Sequence, residues 1–489
     1  MKVEFHLHNQ LRSLRLLVPG LLWLFATANS AALQQLAFPG ADGYGRYSVG
    51  GRGGKVYVVT TLEDNPDQPQ PGSLRYAIEQ PGARFITFAV SGIIRLQAPL
   101  AINEGFVTVA GQTSPNGIVV SGQPFSVNAS QVIIRYVRFR LGLNKDSVDT
   151  ISGVKVRDVI IDHCSFSWSI DETASFYSNI NFTLQYSIIS QSLNHATHTK
   201  GDHGYGGIWG GAGASFHHNV IAHHSSRTPR INGYRLRLDY AQRYEFTDIR
   251  NNVIYNWGQN SAYGAEDSVF NLVDNIYIAG PASKVIRIFQ FYRNTEEEHF
   301  GRGYFAGNVL ENQSRERVTK KTIAARTIKV SKPEKKHNYL LDQPVSINLS
   351  PFFTGTEDYL TQHNAEEAYY LLIVLREVGA NRNAHGPFLD SVDTRVLEDV
   401  RTRSARSGKN GIIDSELEVI ESWDKYAEQF VGNPQDQFES DKDLDGMPDR
   451  WEAEKKVSEP AANDLDPDYT NIEMYLNEIG NFGNPNSPE

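Results

Sequence analysis

Two arginines on either side of a proline form the part of this chain best suited to chemistry. Arg227 and Arg230 enclose Thr228 and Pro229, directly after the short apolar run 216–221. A guanidinium is permanently charged and forks onto carboxylates, and proline restricts the backbone between the two arginines. The turn predicts a site for a carboxylate-rich polyanion, and it leaves open whether that polymer is only bound or also cut.

Near the end of the chain, acidic residues recur with the spacing of a calcium-binding loop. Counting from Asp441, they stand at positions 1, 3, 5, 9 and 12, and Gly446 stands at position 6. That spacing is typical of an EF-hand-type loop. We therefore predict a calcium loop over 441–452, and a solvated acidic loop is the alternative. The predicted ligands are Asp441, Asp443, Asp445, Asp449 and Glu452.

The elements that must position the arginine turn are short β-type runs, which recur from about residue 105 to residue 310. They can be aligned on Val137, Cys164, Ser187, Asn219, Asn252, Asn275 and Asn308, and the successive differences are 27, 23, 32, 33, 23 and 33. A minimum period of 23 with variable insertions is typical of a solenoid. The aligned asparagines suggest stacked turn residues that hydrogen-bond to one another.

The spacing predicts an all-β fold, a right-handed parallel β-helix whose insertions line a groove. A sandwich or a propeller is the alternative fold, but propeller blades need repeats of about 40 residues. The predicted β-helix domain spans residues 33–345. A smaller, mostly helical C-terminal extension over 346–489 follows, with helices predicted at 368–378, after a capping box, and at 469–479. The basic segment 313–340 either follows an anionic substrate or is a solvated excursion.

The N-terminus has the pattern of a secretory signal. Lys2, Arg12 and Arg15 precede the apolar run 16–25, and small residues follow. This pattern predicts a signal peptide over 1–32 and a secreted or periplasmic protein. A transmembrane anchor is the alternative, but the run is short and proline interrupts it.

Composition narrows the classes of function. The 489 residues carry a net charge of −10, which argues against a broad nucleic-acid-binding face. Gly (40), Tyr (23) and Phe (24) are frequent and only 21% of residues are charged, which suits β-structure with tight turns. The single cysteine, Cys164, excludes an intrachain disulfide, and its apolar surroundings indicate a buried residue rather than a nucleophile. We expect a monomer with no nucleic-acid partner and no membrane span after signal removal.

Several sequence motifs follow one another along this chain, at 38–45, 50–54, 71–75, 109–113, 161–163, 203–207 and 227–230. Together they resemble polysaccharide lyase family 1, the pectate lyases, over about residues 38–310. The motif at 445–452 is similar to the ending of bacterial relatives. The resemblance implies β-elimination of (1→4)-linked polygalacturonate with Ca²⁺ as cofactor. Metal ions and arginines against the substrate carboxylate would stabilise the charge that develops when the C5 proton is removed.

The resemblance also implies roles for individual residues. Arg227 matches the family's catalytic base, although a free guanidinium has a pKa above 12 and nearby cations would have to lower it. Arg230 matches a substrate or structural clamp. Lys200, with His203 close by, is the nearest candidate for a lysine that binds substrate carboxylate.

The implied ligands of an active-site calcium are carboxylates on neighbouring coils. Asp149 lies 13 residues before Asp162 and matches a family ligand, and Asp171 and Glu172 fall where the next strand supplies carboxylates. The family's spacing is not reproduced there, so which of Asp171 and Glu172 binds stays open. A further family arginine is replaced by Asn232, and Arg235 or Arg237 could substitute for it.

Three other functions remain as alternatives. A pectin lyase would cut methylated pectin without calcium, and a β-helical glycoside hydrolase would need an acid–base pair of carboxylates across the scissile bond. A non-catalytic polysaccharide-binding β-helix protein would keep the arginine clamp and could lack Asp149 or Arg227.

Overall fold

The computed structural model describes residues 34–235, 240–292, 301–317, 328–330, 339–345, 360–431 and 441–480. The predicted signal segment 1–32 lies outside these ranges. Residues 35–489 form one compact unit. Within the described ranges, no helix combines the length and the apolar character that crossing a bilayer requires.

The fold consists mainly of short strands that follow one another around successive coils. Numbered in chain order, the strands are β1 Lys55–Val59, β2 Arg84–Phe88, β3 Gly92–Arg95, β4 Leu100–Ile102, β5 Val107–Ala110, β6 Ile118–Ser121, β7 Phe125–Val127, β8 Val132–Arg135, β9 Arg138–Arg140, β10 Ile151–Val154, β11 Arg157–Asp162, β12 Ser165–Ser167, β13 Ala174–Gln185, β14 Ile188–Ser190, β15 Ile208–His217, β16 Val220–Ala222, β17 Arg230–Ile231, β18 Phe246–Arg250, β19 Val253–Tyr255, β20 Ala262–Gly264, β21 Val269–Val273, β22 Ile276–Ile278, β23 Phe289–Phe291, β24 Arg302–Ala306, β25 Val309–Glu311, β26 Ile328–Val330, β27 Arg382–Asn383 and β28 Gly386–Pro387.

Helices are short and lie mostly in the C-terminal part of the described chain. The α-helices are α1 Leu74–Glu79, α2 Ala365–Tyr369, α3 Ser391–Thr402, α4 Trp423–Ala427, α5 Asp449–Lys455 and α6 Asn471–Gly480. A π-helical turn, Tyr370–Val374, continues α2, and 3₁₀ turns lie at Gly111–Thr113, Gln242–Tyr244, Glu416–Glu418 and Glu428–Phe430. The capping box predicted before 368–378 is present, but the helix begins earlier, at Ala365.

The strands stack into three parallel ladders. The first ladder runs β4, β7, β10, β13, β15, β17, β20, β23, β26, and the second runs β1, β2, β5, β8, β11, β13, β15, β18, β21, β24. The long strands β13 and β15 take part in both, so the two ladders form one 17-stranded sheet. The third ladder is a separate parallel sheet of nine strands from β3 to β25. This architecture confirms the predicted parallel β-helix.

Each predicted β-run proves to be two strands joined by two residues, the first of which is called the corner residue here. The corner residues have left-handed backbone angles, with φ between 47° and 64°, at Tyr136, His163, Tyr186, His218, Asn251, Asp274 and Gly307. Their spacing equals that of the alignment made from the sequence, because each corner directly precedes an aligned residue. A left-handed non-glycine residue costs about 1–2 kcal/mol. Ring stacking offsets this cost, since the Tyr136, His163, Tyr186 and His218 rings follow one another at 4.8–5.0 Å.

The aligned asparagines form the predicted ladder inside the turns. Asn219 Nδ2 donates to Asn252 Oδ1 over 3.0 Å, and Asn252 Nδ2 donates to Asn275 Oδ1 over 2.9 Å. The same oxygens accept backbone amides: Asn219 N donates to Asn252 Oδ1 over 2.9 Å. All three side chains are buried. Each asparagine therefore satisfies polar groups of the neighbouring coil that water cannot reach.

The interior of the coils is apolar. Its core contains Ile, Val and Phe side chains together with Trp209 and Trp257. Cys164 belongs to this core, as predicted, and burial raises the pKa of its thiol well above the ordinary value.

Residues 360–431 pack against the outer face of the third ladder. Apolar side chains of α2 and α3 meet β14, β16, β19 and β22 in one cluster. Beside it, Arg140 pairs with Asp390 (2.8 Å) and Asp393 (2.7 Å), and all three side chains are fully buried. Asp390 also caps α3 by accepting the Asp393 amide. Burial alone would raise the pKa of Asp390, but Arg140 and Arg138 lower it to about 2.

Residues 441–480 pack against the early coils of the β-helix. Met447, Trp451 and Ile472 belong to one apolar cluster with Phe85 and Ala110. Arg52 and Glu473, which are 421 residues apart in the chain, pair at 2.9 Å.

The asparagine ladder gives a stability prediction. Replacing Asn252 with Ala removes buried hydrogen bonds to both neighbouring coils and leaves the Asn219 amide unsatisfied, so the free energy of unfolding should fall by about 3 kcal/mol. Asn128→Ala is the control, because Asn128 makes its side-chain hydrogen bond at the exposed surface, and it should cost less than about 0.5 kcal/mol. Denaturant unfolding of both variants measures the difference, and equal losses would contradict a stabilising role for the ladder.

Candidate active site

The candidate site is a row of side chains that successive coils place beside one another. The Thr150 amide donates to Glu172 O over 3.1 Å, which sets Asp149 beside Glu172. Glu172 forms an isolated parallel β-bridge with Tyr205, and Tyr205 forms another with Ser226, the residue before Arg227. Neighbouring coils are about 4.8 Å apart. Residues far apart in sequence therefore share one surface of the first ladder.

Three carboxylates meet in this row. Ligand oxygens of Asp149, Asp171 and Glu172 all lie within 4.8 Å of one another, and the Glu172 amide donates to Asp149 Oδ1 over 3.1 Å. Burial, followed by the charge of Asp171, raises the pKa of Asp149 to about 8. Asp171 Oδ1 is buried and accepts no hydrogen bond from the described residues. An all-oxygen group of this kind fits a hard divalent cation such as calcium.

Arg227 lies next to the carboxylates. Its backbone is left-handed, with φ at 56°, and the following Thr228–Pro229 peptide bond is cis. Its Nη1 contacts the Glu172 carboxylate, and its Cζ lies 4.3 Å from the centroid of the Tyr205 ring. The side chain remains 23% exposed. Glu172 thus contacts Arg227 while belonging to the carboxylate group, so a bound cation and this arginine would share one carboxylate.

A stacked pair of histidines packs beside Asp171. The His198 and His203 rings are parallel within 10° at 3.5 Å, and their Nε2 atoms lie 3.4 and 3.6 Å from Asp171 oxygens. One ligand atom of each of Asp171, His198 and His203 lies within 4.8 Å of the other two, so these side chains form a further group that could hold a cation. His198 Nδ1 accepts the Lys200 amide over 3.0 Å, which leaves Nε2 as the nitrogen that faces Asp171. The pair therefore fits either donation to Asp171 or a cation shared with it.

The two predicted substrate-binding residues before the arginine turn differ in exposure. Lys200 is exposed, whereas His203 is buried against Tyr205, with ring centroids 4.3 Å apart. Burial lowers the pKa of His203 despite the opposing charge of Asp171. His203 and Arg227 both contact the Tyr205 ring, so His203 belongs to the wall of the site.

Arg230, the second arginine of the turn, is already paired. Its Nη2 lies 2.5 Å from Glu266 Oε1, and both side chains are largely buried. The guanidinium carbon also lies 5.1 Å and 5.7 Å from the ring centroids of Tyr263 and Tyr292. Of the two roles that the sequence left open for Arg230, these contacts favour the structural clamp.

At the position where the resemblance led us to expect an arginine, Asn232 is fully buried. Arg235 binds it, with Nη2 to Oδ1 at 2.7 Å and Nε to the backbone oxygen at 3.0 Å. Burial and then the charges of Arg230 and Arg227 lower the pKa of Arg235. Arg237, the other proposed substitute, lies outside the described residues.

The acidic loop 441–452 brings its predicted ligands together in two overlapping groups. One contains Asp441, Asp443 and Asp445, and the other contains Asp443, Asp449 and Glu452. Gly446 has φ at 91°, which suits the sharp turn at position 6. Asp441 accepts the Gly446 amide over 2.9 Å. Burial and the neighbouring carboxylates raise the pKa of Asp445 to about 6 and that of Glu452 to about 7.

Tyr205 is the site residue to which reasoning from the sequence assigned no role. It lies inside the motif 203–207, and its ring contacts Arg227 on one side and His203 on the other. The signal that could have found it is spacing: Tyr205 precedes Arg227 by 22 residues, close to the minimum repeat of the coils.

The chain is similar over most of its length to fungal proteins. No family model matches it. A probable pectate lyase C of Aspergillus flavus is 32% identical over 459 residues, covering 91% of this chain and 94% of that protein. A probable pectate lyase C of Emericella nidulans is 40% identical over 280 residues, covering 56% of this chain and 59% of that protein.

Solved structures also align with the chain. Jun a 1, the major allergen from cedar pollen, aligns with a TM-score of 0.48 at 18% identity, covering 69% of this chain and 92% of that one. The thermostable pectate lyase PL 47 aligns with a TM-score of 0.46 at 14% identity, covering 71% of this chain and 98% of that one.

The carboxylate group gives a pH prediction. A proton stays on Asp149 below about pH 8, and a cation binds the ionised form, so calcium affinity should rise with pH, by at most about tenfold per unit, and level off above pH 8. Calorimetric titration at pH 6, 7, 8 and 9 measures this. Asp149→Asn should weaken binding and flatten the profile. Asp146→Asn, which changes an exposed carboxylate on the same loop, should keep the calcium affinity and the pH profile of the parent. An affinity equal at pH 6 and pH 8 would contradict the assignment.

Proposed function

We propose that this chain, which belongs to the pectate lyase family of polysaccharide lyases, is a secreted, calcium-dependent pectate lyase. It cleaves (1→4)-linked α-D-galacturonan by β-elimination and leaves a 4,5-unsaturated end. The observation that carries the proposal is the contact between Arg227 and Glu172, which sets a guanidinium at the edge of a three-carboxylate group. A cation held by the three carboxylates and this guanidinium would then both lie close to a bound substrate carboxylate.

The main barrier to the reaction is the extra negative charge that develops on the substrate. Removal of the proton at C5, α to the uronate carboxylate, turns that carboxylate into a dianionic, enolate-like group. The electrons of the C5–H bond then form the C4–C5 double bond while O4 departs with the glycosidic bond pair and takes up a proton. Groups that meet this extra charge in the transition state more strongly than in the ground state accelerate the step.

The residues of this row have separate roles in the proposed reaction. Asp149, Asp171 and Glu172 are the oxygen ligands, and a calcium ion held there would supply positive charge against the substrate carboxylate. Arg227 is the base, placed by the left-handed turn and by the Tyr205 ring, and it accepts the C5 proton in its neutral form, which a cation bound at Glu172 would favour. Arg230, paired with Glu266, is the structural clamp that holds the turn carrying Arg227. His203 closes the wall behind Tyr205, and exposed Lys200 is free to reach a substrate carboxylate.

An absorbance assay tests the function. Incubation with polygalacturonate and calcium should produce ultraviolet absorbance from the unsaturated product, and a chelator should abolish the increase. No absorbance gain on any pectic substrate would disprove the lyase function. Chelator-resistant activity on methylated pectin would show a pectin lyase instead.

Arg227→Lys separates catalysis from binding. Lysine keeps the positive charge but loses the planar fork and its position on Tyr205, so turnover should fall by at least about a thousandfold, roughly 4 kcal/mol. Polymer binding, measured by calorimetry, should change little. Arg243→Lys, an exposed arginine outside the row, is the control and should retain full turnover. Surviving turnover in Arg227→Lys would exclude Arg227 as the base.

The loop 441–452 supports a second proposal, a structural calcium that fastens residues 441–480 to the early coils. Without a cation, burial and then repulsion by the neighbouring carboxylates raise the pKa of Glu452 to about 7. Glu452→Gln should therefore leave the melting temperature in chelator unchanged or raise it, and should reduce the rise that calcium produces. Asp424→Asn, an exposed carboxylate on α4, should change neither value. A full calcium-induced rise in Glu452→Gln would argue against the loop site.

A further inference from the structure

A second arginine lies in the same row as Arg227, two coils further along the first ladder. Arg230 of β17 is in register with Tyr263 of β20, and Tyr263 is in register with Gln290 of β23. Three residues before each of these stand Arg227, Asn260 and Arg287. One backbone and one side-chain hydrogen bond connect the coils at this position, because Thr228 N donates to Ser261 O (3.3 Å) and the Ser261 hydroxyl donates to Arg287 O (2.7 Å).

The guanidinium of Arg287 is short of acceptors. The residue is only 8% exposed. Within the ranges that the structure describes, its one polar contact runs from Nη2 to Asn260 Oδ1, and Nε is buried without a partner. No carboxylate of the described residues pairs with it. Burial lowers the pKa of Arg287, with only the nearby Tyr292 opposing.

Three other arginines with largely buried side chains show how such a charge is compensated in this protein. Arg84 is fully buried and donates to five backbone carbonyl groups, at Ala77, Ile78, Gly82, Glu104 and Gly105. Arg140 pairs with two aspartates, and Arg230 pairs with Glu266. Burying a charge without such partners is costly. Arg287 therefore differs from these three arginines, because an external anion could supply the acceptors that its guanidinium lacks.

We propose that Arg287, supported by Asn260, is a binding subsite for a second carboxylate of the uronate polymer. It lies two coils, about 10 Å, from Arg227 along the first ladder. A guanidinium already short of acceptors gains a charge-assisted hydrogen bond when a carboxylate arrives, and Asn260 holds the fork in place. The inference rests on the proposed function, because it takes the same polymer as its ligand. Arg287 binds substrate and takes no part in proton transfer.

Binding without turnover tests the subsite. In the Arg227→Lys background, calorimetry with hexagalacturonate and calcium should show that Arg287→Gln weakens affinity about tenfold or more, as expected for loss of a hydrogen bond to a charged group. Arg287→Lys, which keeps the charge and loses the fork, should fall in between. Lys284→Gln, an exposed cation three residues earlier, should bind as the parent does. Equal affinity of the parent and Arg287→Gln would overturn the subsite.

A stability measurement excludes a merely structural role. Replacing an uncompensated buried cation with an apolar side chain of similar length is neutral or stabilising, so Arg287→Met should melt at or above the temperature of the parent while binding hexagalacturonate about tenfold more weakly. A lower melting temperature with unchanged affinity would overturn the proposal. If the parent itself binds no galacturonan, the proposed function fails. If the parent binds and Arg287→Gln does not differ, only the subsite fails.

Discussion

The backbone hydrogen bonds between neighbouring coils determine where every functional side chain of this protein lies. Because the strands are parallel and in register, a residue meets its equivalent in the next coil about 4.8 Å away, whatever the length of the intervening loop. The left-handed corners and the asparagine ladder fix this register at one edge. The loops can vary without moving the row, so the site depends on register rather than on any one loop conformation.

The same stacking explains why the site is electrostatically costly. The register of the coils brings Asp149 and Glu172 close to Asp171. Burial, and then the negative charge of Asp171, disfavour ionisation of Asp149 and raise its pKa. A few residues away, guanidinium groups of Arg227, Arg230 and Arg235 are close enough to influence one another. Stability elsewhere, in the apolar core and the buried Arg140 network, offsets this arrangement. Shifted pKa values of this kind are typical of functional sites.

Much of the fold could be predicted from sequence, and less of the site. The recurrence of short β-runs predicted the solenoid, and the corner residues repeat at the same intervals. The split of each run into two strands was missed, because a left-handed Tyr or His carries no signal that an asparagine or glycine would give. The spacing of acidic residues predicted the group at Asp441, and the resemblance to pectate lyases implied the group at Asp149. The fold brings both groups together, and metal binding at each stays a prediction.

Pairings across coils were the part that sequence could not supply. Glu266 lies 36 residues after Arg230 and pairs with it, but coil lengths vary between 23 and 33, so no fixed interval points to that partner. Arg287, two coils and 60 residues after Arg227, was missed for the same reason, whereas the 22-residue interval between Tyr205 and Arg227 was available but not used. Each acquires its role only when the register places it beside Arg227, and the register depends on where loops leave the coil.

The contact between residues 441–480 and the early coils has a consequence for biosynthesis. A ribosome makes the chain from its N-terminus, so Phe85 and Ala110 exist long before Met447 and Ile472 emerge to cover them. During that interval the first coils present an apolar face and an unpaired Arg52, whose partner Glu473 is 421 residues away. The early coils therefore have to stay soluble while this apolar face is exposed. A chain that stops before residue 441 keeps the apolar face exposed, and quality-control factors can recognise it.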